Sequence, residues 1–142
     1  MNKKKRNEII SIVVVLLVCI VLYVFFMNKN IYTLNIPKVE DLSSISLESG
    51  KATKKITDAK TMEDMISLLN GNGRMTKEES VNDAPADVKK SIKVELNAKE
   101  DGSSVIYVYE RKGVYYLEQP YNGIYEISED EYNGLENIFS RV

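Results

Sequence analysis

The sequence predicts an α+β fold carried behind a single N-terminal membrane-spanning helix. Three observations lead there. The 19 residues from Ile9 to Met27 are uncharged, with Ser11 their only clearly polar side chain. The rest of the chain reads as strands, helix, strands, helix, by its change of hydrophobic period. Its successive strand-like runs are joined by short turns, which favours antiparallel pairing. The expected architecture is an N-terminal transmembrane helix followed by a small antiparallel-sheet domain with two helices packed on it. The boundaries are a cytoplasmic tail over 1–8, a signal-anchor helix over 9–27 and an extracytoplasmic domain over 28–142.

At about 1.5 Å per residue the apolar run spans roughly 28 Å, close to the ~30 Å hydrocarbon core. Its many β-branched residues are poor helix formers in water, but in lipid a lone segment satisfies its backbone only as a helix. Tyr23, Phe25 and Phe26 fall near the outer end, where aromatic rings suit the interface. A cleaved signal peptide has a shorter apolar run and a small-x-small site, which Phe25-Phe26-Met27-Asn28 does not offer. A lipoprotein places a small residue before the modified cysteine, whereas Val18 precedes Cys19. Cys19 reads as a small apolar side chain in lipid. Lys3-Lys4-Lys5-Arg6 faces only Lys29 across the run, so the positive-inside rule places the N-terminus in the cytoplasm.

Beyond the anchor, Ile31-Tyr32-Thr33-Leu34-Asn35-Ile36 is strand-like and is ended by Pro37. Ile45-Ser46-Leu47-Glu48 alternates and meets a turn signal at Ser49-Gly50, with Lys54 to Thr57 as its partner. Asp58 to Leu69 carries the helical stripe Met62, Met65, Ile66, Leu69, capped by Asp58 or Thr61 and closed by Asn70-Gly71. Residues 71–88 have no regular period and form a surface loop. Strands follow at Ile92 to Leu96, Val105 to Glu110, Val114 to Gln119 and Ile124 to Ile127. A capping box at Ser128 and Glu131 opens the last helix, whose stripe is Tyr132, Leu135, Ile138 and Phe139. Gly134 weakens this helix by about 1 kcal/mol relative to alanine.

Composition bounds the chemistry. Of 19 basic and 21 acidic residues, four basic ones and Glu8 precede residue 28, which leaves 15 basic and 20 acidic residues in 28–142, a net of -5. Histidine is absent and cysteine occurs once, which excludes His-based triads, Cys/His dyads, internal disulfides and most zinc sites. No cofactor is expected. An acidic domain is a poor nucleic-acid binder, so none is expected as a partner.

Seven of the nine tyrosines lie between Tyr107 and Tyr132. If Lys112-Gly113 is a two-residue turn, Tyr109 stands opposite Tyr116 and Tyr107 opposite Glu118, all on one face, with Ile106, Val108 and Leu117 on the other. A three-residue turn groups Tyr107 and Tyr109 with Tyr115 and Leu117 instead. Tyrosines fill half-buried strand surfaces, and they also build contact surfaces at low entropic cost. The candidate binding residues are Tyr107, Tyr109, Tyr116, Glu118, Tyr121 and Tyr125. Glu118 has no clearly paired second acid, so glycosidase-type chemistry is not expected, and catalysis is not the expected role.

The run Tyr115-Tyr116-Leu117-Glu118-Gln119-Pro120-Tyr121-Asn122-Gly123-Ile124-Tyr125, with Ser80-Val81-Asn82-Asp83-Ala84-Pro85, resembles the signatures of a family of uncharacterised membrane-anchored ectodomains from Gram-positive, mostly Clostridium-like bacteria. The resemblance covers residues 31–142. It implies an envelope location and brings no activity, substrate or catalytic residue. The expected function is a protein- or peptide-binding accessory, inhibitor or sensor-type module with a membrane-proximal envelope partner. A cell-wall glycan binder or wall-active enzyme is the alternative, and a structural spacer is the third reading.

Overall fold

Lys3–Met27 forms one continuous helix, α1, in which no residue is buried against the protein. It starts before the apolar run, so the four basic residues make its first turn. The computed structural model describes residues 2–27 and 30–142. Asn28 and Lys29, on which the cleavage-site and charge readings draw, lie outside the described residues.

Residues Ile31–Val142 make a separate compact unit. In chain order it contains β1 (Tyr32–Thr33), a single 3-10 turn over Val39–Asp41, β2 (Leu42–Ser49), β3 (Ala52–Ile56), α2 (Ala59–Asn70), β4 (Met75–Thr76), β5 (Ser91–Ala98), β6 (Ser103–Arg111), β7 (Val114–Glu118), β8 (Ile124–Ile127) and α3 (Glu129–Arg141). Six strands form one antiparallel sheet in the order β3-β2-β5-β6-β7-β8. β1 and β4 form a separate two-stranded antiparallel ribbon. The α+β class with two packed helices is therefore the observed one.

The core lies between one face of the sheet and the two helices. Ile45 and Leu47 on β2, Ile92, Val94 and Leu96 on β5, Ile106 and Val108 on β6 and Leu117 on β7 are all buried there. Met62, Met65 and Leu69 of α2 and Leu135 and Ile138 of α3 close it. Asp58 caps α2 by accepting from the Thr61 N–H at 2.8 Å. The Ser128–Glu131 capping box opens α3 as expected. Gly134 has a packing reason: a Cβ there would lie 3.2 Å from Leu68 Cδ1 of α2, so glycine lets the helices close up.

The structure departs from the expected elements in two places. The first strand shrinks to two residues, and Leu34 just beyond it is buried in the core. Its partner, β4, lies inside the stretch expected to be irregular. Strand β2 begins three residues earlier than its alternation indicates, with a register shift between Leu42 and Ser44. The polar Ser43-Ser44 pair hides that extension from a pattern reading.

Candidate functional site

The tyrosine-rich strands form a two-residue hairpin. Lys112 (φ 56°) and Gly113 (φ 80°) both take positive φ, the geometry of a type I′ turn. Tyr109 pairs with Tyr116, and Tyr107 with Glu118. Of the two registers the sequence leaves open, this is the one with Tyr107, Tyr109, Tyr116 and Glu118 on the face away from the helices.

That face is partly covered by the 77–90 segment, which crosses it. The Glu78 carbonyl accepts from Ile124 N–H, and Glu79 bridges to Gly123. Ser80 is buried and donates its hydroxyl to Glu118 Oε1 at 2.6 Å. The Tyr109 hydroxyl donates to the other oxygen of Glu118 at 2.8 Å. Glu118 is 2% exposed and Tyr109 is 0% exposed, so neither presents a surface. Burial and the Glu118 hydrogen bond push the Tyr109 phenol far above its ordinary value. The Tyr109 ring stacks on Tyr116 at 5.5 Å, and the Arg111 guanidinium lies 5.0 Å from the centre of the Tyr116 ring.

The six candidate binding residues thus separate. Glu118 holds the 77–90 segment through Ser80 and is itself held by Tyr109, while Tyr107 and Tyr116 stay half-buried. Tyr125 points the other way, into the core, and is buried. Tyr121 is 67% exposed, takes φ 57° in the turn after β7 and donates to Asp83 at 2.6 Å.

The Glu118–Gly123 signature is a knot of internal contacts. Asn122 N–H donates to the Gln119 carbonyl, closing a turn with Pro120 and Tyr121 at its centre. The positive φ at the third turn position belongs to type II geometry. Gly123 is required for space: a Cβ there would fall 2.7 Å from Thr76 Cγ2 and 2.8 Å from the Tyr125 oxygen.

Tyr116 lines an open cleft of about 990 Å³ at the hairpin tip. Lys89, Lys90, Arg111 and Lys112 surround it, with Tyr132 of α3 contributing an aromatic wall. Tyr132 in turn packs on Tyr115 at 4.6 Å. Asp87 and Glu110 are the acidic residues of the lining. Glu110 accepts from the Gly113 N–H, which ties its carboxylate to the turn. Lys90 reaches Glu136 at 3.0 Å and Arg111 reaches Glu78 at 3.9 Å. Lys89 and Lys112 have no acidic partner within 4 Å among the described residues. Burial, with Glu136 nearby, pushes the Tyr132 phenol up to about 12.

The cleft's cations are absent from the residues that sequence reading singled out. A signal existed in the two pairs Lys89-Lys90 and Arg111-Lys112. Pairing Ser91 with Tyr109 brings them to one end of the sheet. Among the described residues no group of three or more His, Cys, Asp or Glu side chains is placed to hold a metal ion.

Fold and cleft together define a chain with one helix long and apolar enough to span a membrane, followed by a small α+β domain with an open cleft at one end. A family model, DUF5301, described as a domain of unknown function (DUF5300), matches residues 29–126. The chain belongs to this family. The matched residues include both stretches that carry the sequence resemblance. Searches of curated proteins and of solved structures gave no match.

Proposed function

We propose that this chain is a single-pass membrane protein of the cell envelope. Its α+β domain, on the extracytoplasmic side, binds a membrane-proximal protein or peptide through the cleft at the hairpin tip. The observation that carries this reading is the cluster of Lys89, Lys90, Arg111 and Lys112 around Tyr116 and Tyr132. Residues 28–142 have a net charge of -5, so a local excess of cations stands against the average. Aromatic rings flanked by guanidinium and ammonium groups favour a partner segment carrying carboxylates. Burial of Glu118 between Ser80 and Tyr109 supports a binding role over a catalytic one, because its oxygens are engaged internally.

The test uses the full chain in native membranes with a photo-crosslinking residue in place of Lys112. A single stable partner is expected, one whose cross-linked segment is acidic. Retention on purified peptidoglycan, or release of wall fragments, would point instead to the glycan-binding or wall-active alternative. Lys89→Glu with Lys112→Glu should weaken binding of a glutamate-rich peptide by roughly tenfold or more, with a strong salt dependence. Equal binding by the wild type and the double variant would remove the cleft from the mechanism.

A further inference from the structure

The folded unit leaves five large apolar side chains strongly exposed: Ile31 (62%), Met75 (69%), Val81 (64%), Tyr121 (67%) and Val142 (40%). Four of the five sit on segments that are hydrogen-bonded to one another. Ile31 directly precedes β1, and Met75 pairs with Thr33 in the β1–β4 ribbon. The Asn122 side chain donates to the Thr33 carbonyl at 2.8 Å, which fixes Tyr121 beside that ribbon. Ser80 N–H donates to the Asn122 carbonyl, which brings Val81 alongside. Single exposed apolar residues are ordinary. Their concentration on one connected set of segments is not.

That set of segments is where the chain leaves the apolar helix. Only residues 28–30 separate Met27 from Ile31, and four Cα–Cα steps reach at most about 14 Å. Covalent continuity alone therefore limits Ile31 to at most about 14 Å from Met27. We infer that Ile31, Met75, Val81 and Tyr121 form a seat that rests on the lipid surface of the bilayer holding α1. This rests on the reading of α1 as a membrane anchor.

Charge sharpens the choice of occupant. A domain of net -5 is repelled by an anionic bilayer surface, so it is not held there by electrostatic adsorption. Apolar tips entering the interfacial region provide the remaining means, and a tyrosine is well suited to that depth. The tether supplies a high local concentration, so a small apolar area is enough to bias orientation. The seat has a geometric consequence. The 119–123 turn and the Lys112-Gly113 turn lie at opposite ends of β7. Five residues at ~3.3 Å put roughly 16 Å between them. A domain seated on its 119–123 end holds the cationic cleft away from lipid, facing the aqueous space.

The test places nitroxide labels on the full chain with Cys19→Ser, in bilayer discs of phosphatidylethanolamine and phosphatidylglycerol. Labels go at Met75→Cys, Val81→Cys and, as a distal reference, Lys89→Cys. The expected result is a severalfold higher ratio of oxygen to nickel-chelate accessibility at 75 and 81 than at 89. Equal ratios at all three positions overturn the seat. Alkaline carbonate washing of the wild-type chain in vesicles of the same lipids separates the two failures. A chain washed off the vesicles has no anchor, and both readings fall. A chain retained without a lipid signature at 75 and 81 loses the seat alone.

Discussion

Gln119 grips the backbone of Asn35 with both ends of its amide. The Asn35 N–H donates to Gln119 Oε1 at 2.9 Å, and Gln119 Nε2 donates to the Asn35 carbonyl at 2.8 Å. The side chain completes a rung that the short β1 strand cannot supply with backbone alone. Ser104 Oγ accepts from the same Nε2 at 3.1 Å, and Asn122 Nδ2 donates to Oε1 at 2.6 Å. The segment following α1 is thereby tied to a turn 84 positions later.

Replacing Gln119 by alanine removes the partners of two backbone groups at once. Orphaned polar groups cost about 1–3 kcal/mol each when buried, and these are part-buried, so a total loss of about 2–3 kcal/mol is expected. Urea unfolding measures it. Amide exchange at Leu34 and Asn35 should quicken more than exchange in β5. An unchanged urea midpoint would show that the grip is redundant.

The same substitution at two tyrosines should act in opposite directions. Tyr109→Phe leaves Glu118 with Ser80 as its one remaining side-chain partner and should destabilise by about 1.5–3 kcal/mol. Tyr125 has a buried hydroxyl without a hydrogen-bond partner among the described residues. Tyr125→Phe removes that unsatisfied group and should be neutral or stabilising by up to about 1 kcal/mol. Thermal unfolding of the two variants side by side decides it. Destabilisation by Tyr125→Phe equal to that by Tyr109→Phe would mean that the Tyr125 hydroxyl has found a partner.

These contacts also show where the sequence stops informing. The hairpin was readable because Lys112-Gly113 is a local turn signal, and the side-chain period of two narrowed its register to two choices, between which the structure decides. The helices were readable from the Met62-to-Leu69 and Tyr132-to-Phe139 stripes and their caps. The β1–β4 ribbon, the Gln119 grip and the Ser80–Glu118 bond join residues tens of positions apart, and no local pattern encodes them. Tyrosine concentration drew attention to the hairpin, whose burial pattern it could not give. Tyr109, Tyr125 and Glu118 are buried, while the open cleft depends on lysines and an arginine that composition averages away.

Ionisation gives the domain an acid limit and an alkaline limit. Burial pushes the Glu131 carboxyl up, but the Ser128 backbone N–H, Arg74 and the Ser128 hydroxyl outweigh it and leave it below its ordinary 4.5. Arg74 donates to Glu131 Oε1 at 2.7 Å while also donating to the Leu68 and Leu69 carbonyls at the end of α2. A group depressed in the fold contributes stability above its unfolded pKa and loses it as pH falls through the folded value. Stability should therefore drop below about pH 4.5, and Glu131→Gln should flatten that limb. Burial pushes the Tyr125 and Tyr132 phenols up to about 12 from 10.0. Their contribution is complete below pH 10 and is lost as pH rises toward 12. Urea midpoints across pH read both limbs. Tyr125→Phe should make the alkaline one shallower.

Two glycines should respond differently to alanine. At Gly134 the new methyl meets the flexible end of Leu68 at 3.2 Å, and alanine gains about 1 kcal/mol of helix propensity. Gly134→Ala should stay within about 1 kcal/mol of wild type. At Gly123 the methyl would stand 2.7 Å from Thr76 Cγ2 and 2.8 Å from the Tyr125 oxygen, in a buried turn bonded on both sides. Gly123→Ala should cost about 2–3 kcal/mol, as overpacking does. Deleting the Tyr125 oxygen removes one of three contacts under 3.0 Å and leaves Tyr125 Cζ at 2.9 Å, so Gly123→Ala in a Tyr125→Phe background should recover part of the loss. A double-mutant cycle reads the coupling directly. Strict additivity would place the strain on Thr76 or the Tyr125 ring, away from the Tyr125 hydroxyl.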